Sequence, residues 1–262
     1  LGGLARRATF FKQMQSSGTS TLFLAGTHEV LPNNEYESAP TIVFAKDLIK
    51  AYSMLPYHRL YLTSKEEQWL ADNGKEPLPS YAQVVSGAVK SEIVNVNGTK
   101  VGLVAFPDLG PESTAPTQAV IDEVWKKAKE LRPQVKLLLG VSSWGADNER
   151  KFLSRAEPLF DIVLGGGVGR GLEGEVSGLG GTLLVRSMTK GKYMNVIDIY
   201  AWPDPNSDKK WKLGASVRSE MKELGSEIPD DPAFKGLFKD RALGTEPRRQ
   251  GPDVSGLPVS NN

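Results

Sequence analysis

The chain contains only two imidazoles, His28 in GTHEV and His58 in PYHRL, and Glu29 directly follows the first. An imidazole beside a carboxylate can ligate a metal ion or relay a proton. No H-x-H or H-E-x-x-H spacing places these residues together, and a lone loop histidine is ordinarily a polar surface residue. A second candidate is Ser142-Ser143 in GVSSWG, at a strand-to-helix turn. The nucleophile elbow G-x-S-x-G would need glycine where Trp144 stands, and nothing sets His28 or His58 beside Ser142 as its base. The two hydroxyls are therefore expected to cap the helix that follows. A third candidate is GGGVGRG, where Gly165, Gly166, Gly167, Gly169 and Gly171 could offer backbone N–H groups to an anion. A dinucleotide loop must run straight into a helix, but LEGEVSGLGGTLLV is too glycine-rich to form one. The P-loop lysine-serine pair is also missing from this stretch.

The elements that must position these residues alternate between strand and helix. Leu4, Ala8, Phe11 and Met14 recur at helical spacing until Ser16-Ser17-Gly18 ends the pattern. Thr21 to Ala25 is a short apolar strand, and a helix is predicted around Thr41 to Leu55. Tyr57 to Thr63 alternates as a strand, after which Ser64 reads as an N-cap with Glu66 and Glu67 in the first helical turn. In SEIVNVNGTKVGLVAF two alternating runs flank Asn97-Gly98, the pair favoured in a type I′ hairpin turn. Asn97-Gly98-Thr99 is also a glycosylation sequon, although the turn is the stronger reading. Further helices are expected near Thr117 to Leu131 and Asp147 to Ala156. Strands are expected at Val135 to Val141, Phe160 to Leu164, Thr182 to Arg186 and Met194 to Trp202. Beyond these, a charged helix is predicted near Ser216 to Leu224 and a short amphipathic one near Pro232 to Ala242.

The 262 residues carry 32 basic and 31 acidic side chains and no cysteine. Near-neutral charge supplies no field for phosphate backbones, so no nucleic-acid partner is expected. The missing thiols exclude disulfides, thiolate zinc sites, iron–sulfur clusters and cysteine nucleophiles, but they identify no compartment. No apolar run approaches the ~20 residues that would cross a bilayer, so no transmembrane segment is expected. The opening LGGLARRATFFKQMQ has no apolar h-region or cleavage site and no Met at its start. It reads as a processed start or, equally, as a chain boundary. The organisation expected is one α/β domain over residues 1–205 and a C-terminal extension over 206–262. That extension is partly helical, then passes into the Pro/Gly-rich tail GTEPRRQGPDVSGLPVSNN, which cannot bury enough apolar surface to fold alone.

Several segments, taken in order, resemble the 5′-nucleotidase branch of the calcineurin-like metallophosphoesterases. GGLARRATFFKQ is similar to its G-G-[LMF]-A-R-x-A helix, and TLFLAGTHEV to the strand ending in Gly-Asp. YHRLYLTSKEEQWL is similar to the strand leading to Gly-Asn-His-Glu, and NVNGTKVGLVAF to the following hairpin. VKLLLGVSSWG resembles the strand ending in Ser-His-x-Gly, and FDIVLGGGVG resembles the one ending in Gly-His-x-His. GTLLVRSMTKGKYMNVIDIYAW resembles the final strands, so the likeness covers about residues 2–202. It implies an α/β, metallophosphoesterase-like sandwich of two mixed β-sheets flanked by helices. Loops around 26–34, 63–66, 142–146 and 165–171 would converge at one face.

The family holds two divalent metals with Asp, His and Asn side chains, which generate a hydroxide and clamp the phosphate. Its first ligand strand, Asp-x-His, would fall before Leu1, and its substrate domain has no counterpart in this sequence. The remaining ligand positions correspond to Thr27, Ser64, Lys65, Ser143, Gly167 and Gly169, which bind divalent metal poorly or not at all. The resemblance therefore implies a pseudoenzyme without metal or other cofactor: a secreted or periplasmic binding or assembly component. A protein partner would be contacted through the C-terminal extension, and the compartment is implied only by the family. One alternative is an active nucleotidase-like phosphohydrolase with an atypical metal site from His28, Glu29 and Glu66. Another is a binder of a small anionic ligand at the glycine loop.

Overall fold

Apolar runs too short for helices pair as strands, and the amphipathic stretches between them cover the sheets as helices. The computed structural model describes residues 3–31, 45–109, 114–154, 159–177, 181–188, 191–202 and 211–237. In chain order the elements are α1 (Leu4–Ser16), β1 (Leu24–Ala25), α2 (Ala45–Met54), β2 (Arg59–Leu62) and α3 (Ser64–Gly74). Next come β3 (Ala82–Val84), β4 (Lys90–Val96), β5 (Thr99–Ala105), α4 (Gln118–Leu131), β6 (Leu137–Val141) and α5 (Ala146–Ser154). The chain continues through β7 (Ile162–Gly165), β8 (Leu172–Ser177), β9 (Thr182–Arg186), β10 (Tyr193–Ile199), β11 (Val217–Glu223) and α6 (Pro232–Leu237).

The molecule is a mixed α/β sandwich flanked by helices, as the resemblance implied, and its strands hydrogen-bond in three groups. A parallel sheet runs β1-β2-β3, a mixed sheet runs β4-β5-β6-β7-β9-β8, and β10 pairs with β11 as an antiparallel ribbon. Every residue of β6 is buried, because both faces of the central sheet are covered. Leu138 faces the layer formed with Val124, Ala128 and Phe152, while Leu137 and Leu139 face Trp211, Val217 and the ribbon. A third core gathers Ala8, Phe11, Ile49, Tyr52, Leu60 and Phe234 around α1, α2 and β2. The two larger sheets are joined by Glu92 on β4, which accepts from both Arg59 and Gln83.

Asn97 and Gly98 adopt φ of 48° and 85°, both in the left-handed region that a type I′ turn requires. Two sequence expectations change. The N-cap of α3 is Thr63 rather than Ser64: its hydroxyl accepts from the Glu66 N–H while the Glu66 carboxylate accepts from the Thr63 N–H. The stretch predicted as a helix near 216–224 is strand β11, paired residue by residue with β10 from Tyr193↔Glu223 to Ile199↔Val217. VRSEMKE contains strong helix formers, but it also alternates with period two, and a waiting partner strand overrides local propensity. Residues beyond 205 also pack against the rest of the chain. Trp211 is buried and its indole N–H donates to the Asp161 carbonyl at 2.6 Å. Phe234 lies in the α1–α2 core.

Parts of three predictions lie outside the described residues: the start of the helix at 41–44, the end of the helix at 155–156, and the stretch from 238 onward that includes the tail.

Candidate functional site

β1 and β2 run parallel, as do β6 and β7, and each pair ends in loops on one side of its sheet. The segments are 26–31 after β1, Thr63 with the first turn of α3 after β2, 142–145 after β6 and 166–171 after β7; of the predicted loop 26–34, residues 32–34 lie outside the described residues. Close approaches bring the four together. A Cβ on Gly166 would lie 2.8 Å from the Ser142 carbonyl oxygen and 3.6 Å from the Thr27 hydroxyl. The loop after β2 joins through Glu66.

Glu66 is fully buried in the first turn of α3. One carboxylate oxygen accepts from the backbone N–H of Val30 at 2.8 Å and of Leu31 at 3.3 Å. The other accepts from the N–H of His28 at 3.0 Å, the N–H of Thr63 at 2.9 Å and the Thr63 hydroxyl at 3.1 Å. The loop reaches this carboxylate by placing His28 at φ 65°, a left-handed conformation rare for a residue with a side chain. Glu29 turns instead toward α1 and α2, accepting from Arg7 at 2.6 Å and from the Tyr52 hydroxyl at 2.9 Å. Burial works against the Arg7 charge, but Glu29 and the neighbouring phenols raise its pKa above the ordinary value. Glu29 and Glu66 thus serve different partners, and among the described residues no group of three or more such side chains, these three included, is placed to hold a metal ion.

Ser64 and Lys65 are exposed on the first turn of α3. The Ser143 hydroxyl donates to Asp108 at 3.3 Å. The buried Ser142 hydroxyl accepts from the Trp144 N–H at 3.1 Å. These serines shape the turn before α5 and do not cap the helix, because Gly145, at φ 86°, stands between them and its first residue. Trp144 is buried, with its indole N–H donating to the Pro107 carbonyl at 2.9 Å.

The glycine loop turns its carbonyls inward. Arg186, at the end of β9, donates to the carbonyls of Gly167 at 3.0 Å, Val168 at 3.1 Å and Arg170 at 3.2 Å. It also pairs with Glu149 of α5; the two side chains are 3% and 0% exposed, so this ion pair is shut off from solvent. Burial pushes the Glu149 carboxyl above its ordinary pKa, against the pull of Arg186 and the Gly166 N–H. That N–H, which an anion nest at this loop would need, donates to Glu149 at 3.1 Å. The carbonyls of Gly166 and Val168 accept from the N–H groups of Gly145 and Ala146. Gly167, at φ 71°, has no room for a side chain: a Cβ there would lie 2.2 Å from the Ser143 carbonyl oxygen. Gly165 is equally confined, because its Cβ would meet Glu149 at 2.3 Å. Gly169 and Gly171 carry the chain on toward β8.

Sequence reasoning missed Glu149, Arg186 and Asp108. The signal for the first two was a charged residue closing an apolar strand, TLLVR, together with an acid in a first helical turn. Among the described residues, no group of three or more His, Asp or Glu side chains is placed to hold a metal ion. Two surface concavities, one over α4 beside Trp125 and one beside Gly174 and Leu213, are lined by no residue of the four loops.

No family model and no curated protein matches the chain. Among solved structures it is similar to a 5′-nucleotidase precursor from Thermus thermophilus, with a TM-score of 0.59 and 16% identity over 92% of this chain and 52% of that one. It is also similar to the sulfate thiohydrolase SoxB of Thermus thermophilus, with a TM-score of 0.63 and 13% identity over 92% and 46% of the two chains. A 5′-nucleotidase from Candida albicans gives 0.52 and 12% over 90% and 48%. The chain has the fold found in these nucleotidases and this thiohydrolase and spans about half the length of each. At such identities the likeness is one of fold.

Proposed function

We propose that this chain is a non-catalytic metallophosphoesterase-fold module, a binding or assembly component rather than a phosphohydrolase. The observation that carries this reading is the donor set where the four loops meet. Thr27, Ser64, Lys65, Ser143, Gly167 and Gly169 supply neither carboxylate nor imidazole, and the carboxylate of Glu66 is already occupied by five hydrogen-bond donors. A two-metal phosphoesterase centre needs several hard oxygen and imidazole donors turned to common points, and the residues present do not fit one. The rival reading, an atypical site from His28, Glu29 and Glu66, has to take Glu29 from Arg7 and Glu66 from the backbone.

Elemental analysis of the purified chain, with phosphomonoester and 5′-nucleotide hydrolysis assayed with added manganese, tests the proposal. The expected result is no stoichiometric metal and no turnover above buffer; turnover abolished by His28→Ala would replace this reading with the enzymatic one. Two further elements of the proposal are a location outside the cytoplasm and a protein partner contacted through the C-terminal stretch. The first is supported by the fold shared with nucleotidases, one of them described as a precursor. The second is supported by the proline- and glycine-rich composition of residues 244–262. Fractionation of the native host and cross-linking of the full chain there check them.

A further inference from the structure

At the loop face, two charged side chains stand where mobile ions would otherwise be needed. Buried N–H groups and carbonyls left unpaired are costly, so strand-end loops that turn these groups inward need counter-groups. Glu66 gathers the N–H groups of His28, Val30, Leu31 and Thr63 and the Thr63 hydroxyl onto two oxygens. A carboxylate has about four lone-pair sites, so these donors saturate it. Its position at the N-terminus of α3 adds the favourable end of the helix dipole. Arg186 does the converse. It directs Nε and Nη2 at the carbonyls of Arg170, Gly167 and Val168, while Glu149 balances its charge through Nη1.

We infer that Glu66 and Arg186 are built-in ions of the loop face, an internal anion for loop 27–31 and an internal cation for loop 165–170. The order of these loops therefore does not depend on a divalent cation. The inference deepens the non-catalytic reading and takes from it only the premise that metal is not what organises this face. It also carries a binding consequence. Once the Glu66 side chain is cut back, the N–H groups that surrounded it form a cradle for a small monocarboxylate from solution.

Hydrogen exchange of the full chain, read at the amides of residues 28, 30, 31, 145 and 146, tests this. In the wild type, EDTA and then millimolar manganese leave all five unchanged. In Glu66→Ala, exchange at 28, 30 and 31 rises about ten- to hundredfold, the loss expected for a charge-assisted hydrogen bond, and formate restores at least a third of the protection. In Arg186→Met, residues 145 and 146, which donate to the loop carbonyls, exchange faster instead. If Glu66→Ala fails to fold, Glu66→Gln serves for the amide readout, and the metal arm in the wild type stands regardless. Wild-type protection that follows metal, a Glu66 variant that keeps its protection, or a Glu66→Ala protein indifferent to formate would each overturn the inference. Turnover with manganese alongside unchanged loop protection would remove the functional reading and leave this one standing. Unprotected loops in wild-type EDTA samples without any turnover would do the reverse.

Discussion

The loop after β1 points N–H groups inward and meets a carboxylate, whereas the loop after β7 points carbonyls inward and meets a guanidinium. Both leave the ends of parallel strands, where the backbone runs out of ladder partners. They differ in how the buried charge is balanced. Among the described residues Glu66 is met by dipoles, five donors and a helix N-terminus, while Arg186 has a full counter-charge in Glu149. The first arrangement tolerates a neutral isostere better than the second tolerates losing one partner, because an orphaned buried charge is much costlier than a weakened hydrogen bond.

The largest expected effect breaks the charged side of this comparison. Arg186→Met leaves Glu149 buried without its partner and should cost about 3–5 kcal/mol, read as a fall in urea midpoint. Adding Glu149→Gln should recover part of that loss, since the pair and not either residue is what the core accommodates. Next is Gly167→Ala, which places a methyl group against the Ser143 carbonyl at a left-handed φ. A cost of about 1–3 kcal/mol is expected by thermal denaturation, with loops 142–145 and 165–170 alone losing protection. Thr63→Ala, on the other side, removes one donor to Glu66 and the N-cap of α3, and should cost about 1 kcal/mol in the same assay.

The smallest effect shows its pH dependence only in acid. The hydrogen bond from Lys12 holds the Asp231 carboxyl below its usual pKa of 3.8. A carboxyl depressed in the folded state contributes stability that is complete above its unfolded pKa and lost as pH falls through the folded one. The stability gap between wild type and Asp231→Asn should therefore be constant near neutral pH and narrow below about pH 4. A gap that stays constant into acid would count against this pair.

Much of the sandwich was legible in the residues because its strands and turns are local. TLLVR, KLLLGV and the NG hairpin announce themselves by composition and periodicity. β11 was not legible, because SVRSEMKEL satisfies both helical propensity and strand alternation, and only β10 decides between them. The convergence of the four loops was implied by the family resemblance and not by the residues of any one loop. What holds the loops was not legible: Glu66 lay in a capping-box pattern read one residue out of place. Arg186 and Glu149 are separated by 37 positions, with no local trace of their pairing.

The contact between α1 and α6 carries a consequence for synthesis. The Asp231 N–H donates to the Ala5 carbonyl, and Phe234 fills the same core as Ala8, Phe11 and Ile49, across more than 200 residues of sequence. Phe23, Tyr57 and Leu60 cover much of this core early, but as the chain leaves the ribosome the part that Phe234 fills stays open until residues 231–237 have emerged. Every nascent chain shorter than this displays an open hydrophobic surface to chaperones and proteases, and the last described helix ends that exposure.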